Sequence, residues 1–276
     1  LTASVDAPGS PRDIVAGVSR LPLPFTATAH GMAVALAFAF AFVRPAHADE
    51  VLVAVASNFA SPLRQIAERF TAETGHRVSL ASGSTGKLRA QIQGGAPFAV
   101  LIAADEDTPA QLVDQGLAVP GTSFTYAVGK LVLWSAIPGR MDGGAQVLRN
   151  GGFKHLAVAN PKLAPYGAAA MEVLHKLGLA QRLAPRIVQG ENIAQAHQFV
   201  ATGNAELGFV ALSQVVVPGQ PPSGSFWLVP ADWHAPIRQN AVLLRVGAEQ
   251  PAAKALLAYL RSDAARSVIR SWGYGL

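Results

Sequence analysis

Two hydrophobic periods alternate along most of the chain. Val51–Ala56 (VLVAVA) is a continuous apolar run with three Val, the pattern of a strand buried on both faces. Leu63, Ile66, Ala67 and Phe70 then recur at i, i+3, i+4 and i+7, one face of a helix. Ser61-Pro62 supplies its predicted cap and first-turn proline, and Gly75 its end. His76–Ala81 returns to a strand pattern, Lys87–Gln93 reads as a short helix closed by Gly94-Gly95, and Ala99–Ala104 as a third buried strand. Thr108-Pro109 caps a further helix, with Gly116 just past its last turn. Later strands are predicted at Leu131–Trp134, Leu156–Ala159, Ile187–Val188, Leu207–Leu212, Phe226–Val229 and Ala241–Val246. Helices are predicted at Gly167–Leu177 and Ile193–Thr202, with one or two more in Pro251–Trp272. Repeated strand-then-helix order predicts an α/β protein with mainly parallel sheets and helices on both faces. No internal repeat period is evident.

The run Gly31–Val43 (GMAVALAFAFAFV) carries no charge and is about a dozen residues long, short of the roughly 20 that a spanning helix needs. Ala46-His47-Ala48 follows it, with small residues where signal peptidase requires them, so residues 1–48 read as a signal peptide region cleaved after Ala48. Export to the periplasm is therefore expected.

Composition narrows the functional classes. The sequence has 276 residues, half of them apolar, and no Cys, which excludes disulfides, thiolate metal sites and cysteine nucleophiles. Net charge is +5, but Lys and Arg are scattered among acidic and apolar residues, with no basic helix stripe of the kind nucleic acid would need. No nucleic-acid partner is expected.

In α/β sheets, ligands bind beyond the carboxyl ends of strands, where loops enter helix N-termini. Three such loops share a composition: Ser57-Asn58-Phe59, Ser82-Gly83-Ser84-Thr85-Gly86, and Asn160-Pro161 leading to Pro165-Tyr166-Gly167. Each offers hydroxyl or amide donors and exposed backbone N–H groups before a helix, a setting suited to an anion. Each taken alone is also an ordinary helix cap. The GSTGK segment departs from a nucleotide phosphate loop, because Ala81 and Leu88 stand where that motif needs Gly and Ser or Thr. Ser57 is a conceivable nucleophile, but no G-x-S-x-G surrounds any serine. The histidines show no metal-binding spacing, and Asp105-Glu106-Asp107 is accounted for by the dipole of the helix it opens.

With these segments in view, the chain from Asp49 onward resembles the periplasmic molybdate-binding proteins of ABC transporters. The resemblance is carried by SNF at 57–59, GSTGKL at 83–88, AQIQGGAP at 90–97, NPKLAPYG at 160–167, ENIAQAH at 191–197 and the final WGYGL. It implies a type II periplasmic binding protein fold, two α/β lobes joined by two crossing strands with a ligand cleft between. Lobe 1 would comprise residues 49–127 and 235–276, and lobe 2 residues 128–234, with crossings near Ala127–Gly129 and His234–Arg238. The terminal helices after Pro251 would pack back on lobe 1. The resemblance also implies oxyanion donors: the Ser57 hydroxyl, the Asn58 amide, the Thr85 hydroxyl, the Tyr166 amide and phenol, and the Ile193 amide, with Ser84 ranked below. Some relatives place a Tyr at the position of Ala211, and Tyr166 is expected to substitute for it. The implied function is capture of molybdate or tungstate as a monomer and delivery to a membrane permease, with no catalysis, no cofactor, and metal present only within the oxyanion. Another tetrahedral oxyanion such as sulfate or phosphate is the alternative within that class, and a secreted serine hydrolase the alternative outside it.

Overall fold

The computed structural model describes residues 49–276, so the signal-peptide reading of residues 1–48 lies outside the described residues. The chain begins with β1 (Glu50–Ala56), a 3-10 turn over Ser57–Phe59, and α1 (Ala60–Thr74). It continues through β2 (Arg77–Gly83), α2 (Thr85–Gln93), β3 (Val100–Ile102), α3 (Asp107–Asp114) and β4 (Phe124–Gly129). A second series follows: β5 (Leu131–Ser135), α4 (Gln146–Asn150), β6 (Leu156–Ala159), α5 (Pro165–Lys176), α6 (Ala180–Leu183), β7 (Ile187–Gly190), α7 (Ile193–Ala201), β8 (Leu207–Ala211), α8 (Leu212–Val215) and β9 (Ser225–Leu228). The last elements are β10 (Ile237–Leu243), α9 (Pro251–Tyr259) and α10 (Asp263–Ser271).

The strands form two five-stranded sheets, ordered β2-β1-β3-β10-β4 and β7-β6-β8-β5-β9. The chain leaves the first sheet at Gly129, enters the second at Leu131, and returns along β10. The sheets are mixed rather than mainly parallel. β1 pairs parallel with β2 and β3, and β6 with β7 and β8, while β10 runs antiparallel to β3 and β4, and β5 to β8 and β9. The antiparallel half comes from the strands flanking the two passages between sheets. Both sheets follow the same plan although the sequence shows no repeat.

Each face of the first sheet buries its own cluster. Val51, Val53 and Val55 pack with Phe59, Leu63, Ile66 and Phe70 and with the terminal helices, through Leu256, Val268 and Ile269. Ala54 and Leu101 face Leu88, Ile92 and Leu112 on the other side. Burying each large side chain contributes about 1.5–3 kcal/mol, which is why β1, apolar from Val51 to Ala56, is stable only between two helical layers.

Two predicted caps fall elsewhere. α1 starts at Ala60, directly after the 3-10 turn, so Ser61 lies inside its first turn rather than capping it. Pro62 is tolerated there because the N–H it lacks has no partner in a first turn. For α3 the cap is not Thr108: the Asp105 carboxylate accepts the Thr108 N–H at 2.8 Å and its hydroxyl at 3.2 Å. Gly75 ends α1 as expected, at φ 78°. Among the described residues no helix is long and apolar enough to cross a membrane.

Gly167 sets how closely α5 lies on β6, since a Cβ there would stand 2.2 Å from the Ala159 carbonyl oxygen. Gly167→Ala is expected to cost about 1–3 kcal/mol of stability, the usual penalty for overpacking. Denaturant unfolding would measure it, and an unchanged midpoint would contradict this packing.

Candidate functional site

Four helix starts meet at one place. The carboxyl end of β1 enters the turn before α1, and that of β2 enters α2. From the second sheet, β6 leads to α5 and β7 to α7. Residues of all four line a tight cavity of about 10 Å³, far below the range of drug-sized pockets. Its lining carries no charged side chain. Ser57, Asn58, Ser84, Thr85, Tyr166 and Ile193 all contribute to it, so every sequence-predicted site residue arrives there. Ala211 does not line it; its N–H is held by the Gln214 side chain at 2.9 Å.

Local chemistry decides which donors each start presents. Pro165 opens α5 and has no N–H, while the Gly167 amide bonds to the Ala164 carbonyl at 2.8 Å. The Tyr166 amide is therefore the first one α5 can offer. In α7 the Asn192 side chain accepts the amides of Ala194 and Gln195 at 3.0 and 3.1 Å. That cap leaves the Ile193 amide, which cannot bond within the helix, for the cavity.

The hydroxyls are arranged to the same end. Thr85 Oγ1 accepts the Ala104 N–H at 3.0 Å, so its own proton remains to be donated. Ser57 Oγ accepts the Ala194 N–H at 3.4 Å and likewise keeps its proton. Ser84 Oγ is buried without a hydrogen-bond partner among the described residues, at a cost of about 1–3 kcal/mol that a ligand atom would remove. Among the described residues no histidine or carboxylate is hydrogen-bonded to Ser57.

Two contacts tie the sheets' loops together beside the cavity. The Gly86 N–H donates to the Leu163 carbonyl at 2.9 Å, in a fit so close that a Cβ on Gly86 would meet Leu163 Cα at 3.0 Å. Lys87 Nζ pairs with Glu191 at 2.5 Å, both side chains about half exposed, a pairing worth ~1 kcal/mol or less.

Below the cavity lies a buried polar network. Asn58 Nδ2 donates to Gln239 Oε1 at 2.8 Å and to the Tyr274 hydroxyl at 3.0 Å, so this side chain points away from the donor ring and only its amide can join it. Tyr274 and Ser213 hydroxyls donate to the Asn58 carbonyl at 2.8 and 3.0 Å. The Tyr126 hydroxyl lies 2.8 Å from Gln239 Oε1, and Gln239 Nε2 donates to the Tyr166 phenol at 3.0 Å. That phenol thus accepts within the network. Gln239, Tyr126, Tyr274 and Ser213 were not singled out from sequence. Gln239 did have a signal, since Ile237, Gln239 and Ala241 share one face of β10 and that face is buried. Burial, first of all, pushes the phenols of Tyr126, Tyr166 and Tyr274 above their ordinary 10.0, and their neighbouring hydroxyls add to this for Tyr126 and Tyr166. Among the described residues no group of three or more His, Asp or Glu is placed to hold a metal ion.

The profile of the family described as "Bacterial extracellular solute-binding protein" matches residues 51–275. The chain is 57% identical over 231 residues to the molybdate-binding protein ModA of Azotobacter vinelandii, covering 84% of this chain and 92% of that one. It is 52% identical over 230 residues to the molybdate-binding protein ModA of Rhodobacter capsulatus, covering 83% and 90%. Its fold superposes on the solved periplasmic molybdate-binding protein of Azotobacter vinelandii with a TM-score of 0.80 and 44% identity, over 82% of this chain and 99% of that one.

All four tyrosines of the sequence titrate above their ordinary value, Tyr259 at about 12 through burial and its bond to Glu73. A raised folded value means that the stability they contribute is complete below pH 10 and is lost as pH rises through the folded values. Phenolate absorbance of the folded protein is expected to stay flat through pH 10, where the denatured chain is half ionised. More than one tyrosine titrating near 10 in the folded protein would contradict the buried network, which holds every tyrosine but Tyr259.

Proposed function

The chain belongs to the bacterial extracellular solute-binding protein family, and from that premise we propose that it captures molybdate in the periplasm and delivers it to the membrane permease of an ABC transporter. Its long relatives are binding proteins, so capture rather than conversion is the task. The observation that carries the reading is the meeting of four helix starts on an uncharged cavity. We assign the ring of donors to the Ser57 hydroxyl, the Asn58 amide, the Thr85 hydroxyl, the Tyr166 amide and the Ile193 amide, with the Ser84 hydroxyl as a sixth. Each hydrogen bond to a charged ligand is worth about 1.5–3 kcal/mol, enough together to replace the hydration that a dianion gives up.

Neutral donors suit this work in three ways. Helix starts concentrate partial positive charge without a cation that would hold any anion by charge alone. Donors fixed on rigid elements select by oxygen position, which separates molybdate from the smaller sulfate and admits tungstate. The lining also has no carboxylate to accept the proton that phosphate keeps near neutral pH. We further propose two lobes, hinged where β4 passes into β5 and where the chain returns into β10, that close on the ligand as a monomer. The Gly86–Leu163 bond and the Lys87–Glu191 pair would form on closure. Residues 1–48 would serve as the export signal, cleaved after Ala48.

Calorimetric titration of the chain from Asp49 onward is expected to give micromolar or tighter binding of molybdate and tungstate. Sulfate is expected to bind about 100-fold more weakly or worse, a gap of ~2.7 kcal/mol, and phosphate not at all. No heat with molybdate, or equal affinity for sulfate, would overturn the reading. Ser57→Ala and Thr85→Ala are each expected to weaken molybdate binding about ten- to a hundredfold, the loss of one charge-assisted bond. Wild-type affinity in both would remove them from the ring.

A further inference from the structure

Gln239 lines no part of the cavity, yet it is bonded to residues that present donors from both sheets. It is fully buried on β10, the returning strand. Its Oε1 accepts from Asn58 Nδ2 and from the Tyr126 hydroxyl, both at 2.8 Å. Its Nε2 donates to the Tyr166 phenol at 3.0 Å. Asn58 precedes α1 in the first series of elements, and Tyr166 lies in the first turn of α5 in the second. The orientation of the amide follows from its partners, since flipping it would set Nε2 against the Asn58 amide nitrogen.

The surrounding backbone is built for this side chain. The pairing of β10 with β4 shifts register between Gln239 and Asn240. On β4 a Cβ at Gly129 would stand 2.2 Å from the Tyr166 hydroxyl and 2.6 Å from Gln239 Nε2. Gly129 therefore leaves the crossing strand bare where the Gln239–Tyr166 pair passes it.

We propose that Gln239 is a positioning residue for oxyanion capture: its one side-chain amide holds Asn58 and Tyr166 so that the amides of the two lobes bear on the same ligand. It touches no ligand itself. A donor ring split between two lobes is effective only if both halves are fixed to fractions of an ångström, and Gln239 links them away from solvent. The inference rests on the oxyanion-binding reading above.

Two variants test it, with the wild-type protein measured alongside. Gln239→Leu removes all three bonds. It is expected to weaken molybdate binding about tenfold or more at every pH and, without ligand, to speed hydrogen exchange at the amides of Asn58 and Tyr166. Gln239→Glu keeps an acceptor and, when protonated, a donor. The titratable groups facing it are the phenols of Tyr126, Tyr166 and Tyr274, with Asp105 beyond Tyr126. Its affinity is therefore expected to approach wild type on the acid side and fall as pH rises and the new carboxyl ionises, over a range in which wild type is flat. A side chain that merely filled space would not produce that pH profile. Wild-type affinity and exchange in Gln239→Leu, or a flat profile in Gln239→Glu, would overturn the proposal. If Gln239→Leu does not fold, the Gln239→Glu profile decides. If the wild-type protein takes up no molybdate, the oxyanion reading fails, while the exchange of Asn58 and Tyr166 amides in ligand-free Gln239→Glu across pH still decides the positioning role.

Discussion

A doubly charged anion removed from water must recover its hydration from the protein, and most of the architecture follows from that requirement. Isolated buried charge costs far more than a small domain can supply, unless hydrogen bonds surround it. One helix start offers two or three amides on one side only. Surrounding an ion takes several starts aimed inward from different directions, and two sheets facing one another provide them. The order of strands, the passage at Gly129–Leu131 and the return along β10 bring four starts to one cavity. The same requirement explains why Pro165 opens α5 and Asn192 caps α7, since each decides which amide stays available.

Holding donors in place needs a second layer. The hydroxyls and amides beneath the cavity satisfy one another, and three phenols remain neutral there because burial disfavours their ionisation. This floor carries no formal charge that could repel the dianion. The last residues complete it: Val128 and Gly275 exchange backbone hydrogen bonds at 2.8 and 2.9 Å, which brings Tyr274 beneath Asn58. The C-terminus, the crossing strand and the first loop are thus one structural unit.

What the sequence made legible was whatever is encoded within a few residues. The apolar β1, the Gly75 and Gly94 helix ends and the three donor-rich loops could all be read locally, because periodicity and turn chemistry act at short range. The direction of half the strand pairings could not, since strand order in the chain does not specify which neighbour a strand finds. The contact of Asp105 with Thr108 ahead of α3 was hidden because Thr108-Pro109 supplies a cap signal of its own. The polar floor joins residues 181 and 216 positions apart, so only the inward position of Gln239 on β10 pointed to it. Tyr166 illustrates the division. Its place at the start of a helix was readable, whereas the fate of its phenol depended on a strand more than seventy residues away.

The central claim, that an oxyanion is held between the lobes by neutral donors alone, is tested most directly by a crystal structure grown with molybdate and phased on the metal's anomalous scattering. One strong peak is predicted in the cavity, its oxygens at hydrogen-bond distance, about 2.7–3.2 Å, from the hydroxyls of Ser57 and Thr85 and the amides of Asn58, Tyr166 and Ile193. A peak elsewhere, or an oxyanion in contact with a Lys or Arg side chain, would contradict the account.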